Sequence, residues 1–281
     1  MKNCSIWLSD IRKSNDSEEL QWIIKMVQTH FFEYNPHLLI IPDQISQEEY
    51  ERKKSISLTI DYILRNDVFK CWGFCLSEKR DNLGQWRGYA DNGKGISIGF
   101  KTQAFSQIPA IAQSVNRAKS VAFGKVLYGK AAVDALFSQC PTTSAGKLSD
   151  TFESMERTFG GALLYAPFCK NDAFEEEKEW RLIISMAEDA LQNNMDWKQF
   201  PFPQKSNFSI LRLGFISKNN TLVSHIELGI DAMKSVVDSI TIGPKSNLSV
   251  EDVQLFLISL GLLDNLEDTS IAVIPSEASY R

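Results

Sequence analysis

The segment Glu175-Glu176-Glu177-Lys178-Glu179-Trp180-Arg181 puts carboxylates, cations and an indole side by side. If Glu177 to Ile184 is extended, side-chain alternation places Glu177, Glu179 and Arg181 on one face and Lys178, Trp180 and Leu182 on the other. Two carboxylates two residues apart on a strand stand about 6–7 Å apart. That spacing suits two tasks on one substrate. One carboxylate can hold a sugar hydroxyl and stabilise a cationic, oxocarbenium-like transition state. The other can orient or deprotonate an acceptor. Arg181 supplies a counter-charge that favours the charged form of both. A solvated strand end with a structural ion pair has the same composition.

A second group is Ser77-Glu78-Lys79-Arg80-Asp81-Asn82 followed by Gln85-Trp86-Arg87-Gly88-Tyr89. Ser77 falls at the end of an alternating run, where a hydroxyl can meet a ligand. Trp86 and Tyr89 are three residues apart, so one helical turn makes them a single aromatic ledge. A nicotinamide or adenine ring can stack on such a ledge, and Arg80 or Arg87 can pair a phosphate bidentately. The same two aromatics could equally be core.

These side chains need elements to hold them. Cys71 to Ser77 alternates, with Trp72, Phe74 and Leu76 on one face and Gly73, Cys75 and Ser77 on the other. Further strands are expected at Gly95–Phe100, Ala122–Tyr128, Trp180–Ile184, Ser209–Phe215, Leu222–Leu228, Ser239–Ile242 and Ile271–Ile274. Asp91-Asn92-Gly93 is a turn signal. Asp16 with Glu19, Ser46 with Glu49 and Ser249 with Asp252 have helix-capping spacing. Helices are expected behind each, and at Phe105–Ala118, Ala131–Phe137 and Leu148–Tyr165. Asn193 to Asn207, with Pro201 and Pro203, reads as a loop or lid. The order of elements predicts one α+β domain over residues 1–281, with a mixed or antiparallel sheet flanked by helices.

Composition narrows the functional classes. The chain has 281 residues, 43% hydrophobic and 23% charged, which excludes wholesale disorder. Its 30 basic and 35 acidic residues give a net charge of −5, the wrong sign for a protein that lives on duplex phosphates. The longest nearly apolar stretch, Leu255 to Leu263, is far short of the roughly 20 residues a bilayer span needs. With no signal-peptide core behind Met1, a cytoplasmic location is expected. The five cysteines, Cys4, Cys71, Cys75, Cys140 and Cys169, show no CxxC pair, and reduced thiols are expected. His30, His37 and His225 read as structural or surface residues, and no spacing asks for a metal.

Taken in order, Ile6-Trp7-Leu8-Ser9, Phe74-Cys75-Leu76-Ser77-Glu78, Gln85-Trp86-Arg87-Gly88-Tyr89-Ala90, Gly95-Ile96-Ser97-Ile98-Gly99-Phe100, Glu177-Lys178-Glu179-Trp180-Arg181, Ile242-Gly243-Pro244-Lys245 and a closing Ser276 with Tyr280-Arg281 resemble the bacterial domain-of-unknown-function family 2971. The resemblance runs from near residue 6 to the C-terminus. The motif order is in turn similar to that of ADP-ribosyltransferases. This implies NAD as substrate, no metal, Ser77 on the serine-ending strand, Trp86 and Tyr89 on the nicotinamide side, and Glu179, or else Glu177, as the catalytic glutamate. It also implies a leading strand with an NAD-gripping histidine or arginine ahead of Ile6. Met1 stands too close to Ile6 for that strand, so either this copy is expected to start at a late methionine, or Arg80 or Arg87 to replace the missing residue, or the chain to be inactive. On this resemblance the protein is an NAD-dependent ADP-ribosyltransferase-like toxin or antiphage effector. Its acceptor would be a protein or a nucleic acid, and an antitoxin would be its partner. A non-enzymatic module that binds a nucleotide or a protein through Trp86 and Tyr89 is the alternative. A metal-dependent nuclease-like hydrolase built on Glu177, Glu179 and Asp81 is a weaker one.

Overall fold

The computed structural model describes residues 5–13, 20–23, 25, 26, 29, 46–48, 50, 51, 54, 69–110, 119–137, 164–187, 200, 202–218 and 220–280. The helices expected behind Asp16 and Ser46, the Leu148–Tyr165 helix, His30, His37, Cys4 and Cys140 fall wholly or mostly outside these residues.

Six strands form an antiparallel sheet: β1 (Ser5–Asp10), β2 (Phe69–Ser77), β4 (Lys119–Lys125), β7 (Glu179–Ala187), β8 (Phe208–Lys218) and β9 (Thr221–Ile230), in the order β4-β7-β2-β1-β9-β8. A second sheet places β10 (Val237–Ile242) between β3 (Ile96–Phe100), antiparallel to it, and β11 (Ala272–Pro275), parallel to it. Short strands β5 (Leu127–Tyr128) and β6 (Cys169–Lys170) pair in parallel. The helices whose bounds are described include α1 (Leu83–Tyr89), α2 (Gly129–Phe137), the single turn α3 (Met233–Val236) and α4 (Val250–Ser259). The fold is therefore α+β, with antiparallel and mixed open sheets, as the sequence predicts. No helix of the described residues is long and apolar enough to cross a membrane.

Alternation along β2 and β7 decides what each face of the large sheet carries. Residues paired across an antiparallel ladder point to the same side. Trp72 is paired with Ile184, Phe74 with Leu182, and Leu76 with Trp180. These point into the main core, with Leu8, Ile226, Leu228 and Met186. Cys71, Gly73, Cys75 and Ser77, paired with Ser185, Ile183, Arg181 and Glu179, point to the other side. There Ile183 and Cys71 pack with Ile11, Ala122 and Phe168 in a smaller core. A third core fills the space between the three-stranded sheet and α4, around Ile240, Ile242, Val253, Leu257 and Leu263.

Local signals account for most boundaries. Ser249 and Asp252 close a full capping box at the start of α4, the serine hydroxyl accepting from the Asp252 N–H at 3.0 Å. Asp91, Asn92 and Gly93 all take positive φ in the turn between α1 and β3. At Gly243 any Cβ would collide with the Gly93 and Gly95 carbonyl oxygens, so glycine is what lets the β10 end pass that turn. Two expectations are corrected. Over residues 105–110, the described part of the helix expected at Phe105–Ala118, no helix is formed: a 3-10 turn covers Thr102–Phe105 and residues 106–110 are irregular, while 111–118 lie outside the described residues. Pro109 explains this, since the residue before a proline is pushed out of the helical region. The single strand expected at Ala122–Tyr128 is two strands, β4 and β5, which join different sheets.

Candidate functional site

A cavity of about 1070 Å³ opens on the main-core side of the large sheet. Its walls come from the ends of β2, β4 and β7, from β3, and from α1, and they include Phe74, Trp86, Phe100, Phe123 and Trp180. The rings brace one another: Phe123 stacks on Trp180 with centroids 5.3 Å apart, and Phe74 meets Phe100 edge-on at 5.6 Å. Lys79 and Arg80 line the same cavity. Neither side chain makes an ion pair among the described residues. Glu78, also in the lining, is already neutralised: it accepts from Lys125 at 2.7 Å and from Trp180 Nε1 at 2.8 Å. The Lys125 hydrogen bond and then the Trp180 one hold its pKa below the ordinary value.

Helix α1 presents the aromatic ledge. Asn82 caps it, its side-chain oxygen accepting from the Gly84 N–H at 2.7 Å. Trp86 is buried and donates its indole N–H to Asp81 at 2.5 Å. Tyr89 is 64% exposed and forms the rim of the cavity rather than its wall. Partial burial of its hydroxyl end, and next the charge of Glu177, raise the Tyr89 pKa, with Lys170 opposing.

The two glutamates do not line this cavity. Glu177 lies in a 3-10 turn, Asp172–Glu177, and Lys178 takes a left-handed conformation (φ 46°, ψ 54°) before β7 begins at Glu179. The extended segment expected from Glu177 onward therefore starts two residues later. Glu179 and Arg181 point to the side of the sheet opposite Trp180, and both are buried. Arg181 donates Nη2 and Nε to Glu179 Oε2 at 2.5 and 3.1 Å, and Nη1 to the Pro167 carbonyl at 2.8 Å. Lys170, also buried, stands 2.6 Å from Glu177 and 3.5 Å from Glu179. Among the described residues, two cations and two carboxylates thus form one network.

Ser77 connects the two regions. It is paired in register with Glu179, lines the cavity, and donates its hydroxyl to the Glu177 carbonyl at 2.7 Å. Arg80 is on the cavity. Arg87 is not among its lining residues; its guanidinium lies over the Tyr280 ring, 5.4 Å from the centroid. Asp81 serves the C-terminal segment: Ser276 Oγ and the Glu277 and Ala278 N–H groups all donate to it. It is not gathered with Glu177 and Glu179, and no cluster of three or more His, Cys, Asp or Glu side chains suited to a metal occurs among the described residues. Burial would push the Asp81 pKa up, but the bonds from Ser276, Trp86 and the two backbone donors outweigh it and the net shift is downward.

Lys170 and Tyr128 belong to the network and escaped sequence reasoning. The Tyr128 hydroxyl accepts from the Glu179 N–H at 2.9 Å, and its pKa is raised, chiefly by burial. Lys170 lies on a two-residue strand with no periodicity to read. His225 is buried, stacked on Trp7 with centroids 4.1 Å apart, and burial lowers its pKa. Cys169 is a free thiol, and burial pushes it up to about 12.

Residues 85–182 match a family model described as a protein of unknown function (DUF2971). The matched stretch carries Trp86, Tyr89, Glu177, Glu179 and Arg181, and leaves out Ser77 and Arg80. It is narrower than the resemblance read along the chain from residue 6 onward. Comparison with curated proteins and with solved structures gives no match.

Proposed function

We propose that the protein binds a nucleotide, NAD in the first instance, in the aromatic cavity. The observation that carries this reading is the cavity itself: stacked rings on its walls and, in its lining, Lys79 and Arg80, which make no ion pair among the described residues. A base or nicotinamide ring gains stacking and apolar burial there, and a diphosphate gains charge-assisted hydrogen bonds. Titration calorimetry with NAD tests it. Saturable binding is expected, weakened by Arg80→Ala and Tyr89→Ala, both exposed positions whose loss leaves the fold intact. No heat with NAD, or equal affinity in all three proteins, refutes it.

A second reading, an ADP-ribosyltransferase-like enzyme with toxin or antiphage activity, is favoured by one further observation. Ser77 lies in register beside Glu179 and also on the cavity, and Tyr89 feels the Glu177 and Glu179 charges from the rim. In this reading Glu179 or Glu177 stabilises the cationic ribose as nicotinamide leaves, and a protein or nucleic-acid acceptor attacks. Glu179 must first be released from Arg181 and Lys170. NAD consumption, and toxicity on overexpression, should then vanish in Glu177→Gln or Glu179→Gln variants that still fold. Binding without consumption in the wild type leaves the plain binding module.

A further inference from the structure

Helix α1 is held at both ends by the same short segment. Before the helix, Asp81 accepts on Oδ1 from the Trp86 indole at 2.5 Å and from the Ser276 hydroxyl at 2.7 Å. Its Oδ2 accepts from the Glu277 N–H at 2.7 Å and the Ala278 N–H at 3.1 Å. Beyond the helix, the Tyr280 hydroxyl donates to the Asn92 side chain, and the Tyr280 ring is faced by Arg87 at 5.4 Å and Lys245 at 4.0 Å. The segment leaves β11 directly, where the Ser276 N–H donates to the Ile242 carbonyl at 2.8 Å. Between these two anchor points, Trp86 and Tyr89 face the cavity.

We propose that residues 276–280 are a strap that sets the aromatic wall of the cavity through Asp81, so that seating of the strap and occupancy of the cavity are coupled. Asp81 is the positioning residue. One carboxylate oxygen is shared between a strap hydroxyl and the Trp86 indole, so losing the strap changes the partner that fixes the indole's orientation. The strap adds no groups of its own to the cavity lining. It acts by removing freedom from α1, a helix of two turns that is too short to hold its shape unaided. A ligand stacked on Trp86 and Tyr89 meets a wall already ordered, and by reciprocity its binding steadies the strap.

The coupling half of this inference rests on the nucleotide reading; the positioning half does not. Five proteins test both: wild type, Ser276→Ala with Tyr280→Ala, Asp81→Asn, Asp81→Ala and Trp86→Phe. The Trp86 indole N–H resonance is assigned by its loss in Trp86→Phe. The double strap variant is expected to shift that resonance and leave the other indoles in place, a signature that general loss of stability does not give. Asp81→Asn, which keeps one acceptor oxygen, is expected to shift it less than Asp81→Ala. NAD affinity should fall about fivefold to tenfold in the strap variant, the low end of ordinary coupling between sites. NAD should in turn slow hydrogen exchange at the Glu277 and Ala278 amides. An unmoved Trp86 resonance in the strap variant overturns the proposal whether or not NAD binds. A moved resonance with no NAD binding to the wild type retains the strap and removes the nucleotide reading. A moved resonance with unchanged NAD affinity overturns the coupling.

Discussion

Replacing Arg181 with methionine takes one cation out of a buried network and leaves its carboxylate behind. Arg181 is 1% exposed and, among the described residues, its guanidinium makes two hydrogen bonds to Glu179 and one to the Pro167 carbonyl. Methionine fills much of the same space but restores none of these. Glu179, 6% exposed, is then left with Lys170 at 3.5 Å, a cation already bound more closely to Glu177. Breaking one member of a buried pair typically costs about 3–5 kcal/mol. For a chain of this size that lowers the melting temperature by about 6–20 °C. The double variant Arg181→Met with Glu179→Leu removes both charges and keeps the Lys170–Glu177 pair at 2.6 Å. It should be more stable than Arg181→Met alone, with a coupling of about 1–3 kcal/mol between the two sites. Thermal and urea unfolding followed by circular dichroism measure both quantities. If Arg181→Met unfolds within about 1 kcal/mol of wild type, or if the double variant is worse than the sum of the singles, the network does not bear on stability as argued.

Trp86→Ala should cost about 3–5 kcal/mol, because it empties a buried ring position. Trp86→Phe should cost less, about 1.5–3 kcal/mol, chiefly for the lost bond to the Asp81 carboxylate; chemical denaturation separates the two. Burial holds His225 below its ordinary pKa of 6.5. The unfolded chain therefore takes up that proton first, so stability should fall as pH drops below 6.5 and be level above it. His225→Phe, which keeps a ring against Trp7, should lose that part of the slope in urea midpoints taken between pH 5 and 7.5 (about the range over which an ordinary histidine titrates). Ser249→Ala should destabilise α4 by about 1 kcal/mol through loss of its cap, seen as earlier amide exchange at Asp252 and Val253.

The strands were the most readable part of the chain, since period-two alternation needs no knowledge of distant partners. Phe74 and Leu76 face the core and Cys75 and Ser77 face away, as their spacing alone implies. The same alternation separates Glu179 and Arg181 from Trp180. What it could not say was which side α1 would cover. That was decided by residues far apart in sequence, Leu76, Phe123 and Trp180, on whose side α1 and the cavity lie, while Phe168 and Ile11 took the other face. For that reason Glu177 and Glu179 are not among the residues that line the cavity beside Trp86 and Tyr89. Glu177 was misplaced for a local reason: Lys178 adopts positive φ without being glycine or asparagine, so nothing in Glu-Glu-Glu-Lys-Glu marks the bend. Nothing local marks Asp81 as the anchor it is, because its partners in residues 276–278 are about as remote in sequence as the chain allows.

Where the nucleotide sits is the central claim, and photolabelling reads it directly. An azido-purine analogue of NAD, cross-linked to the full-length protein and mapped by peptide mass spectrometry, should mark peptides containing residues 74–89 or 96–108, and excess NAD should abolish the marking. Labelling on the Lys170–Glu179 side alone, or labelling that NAD does not compete, contradicts the account.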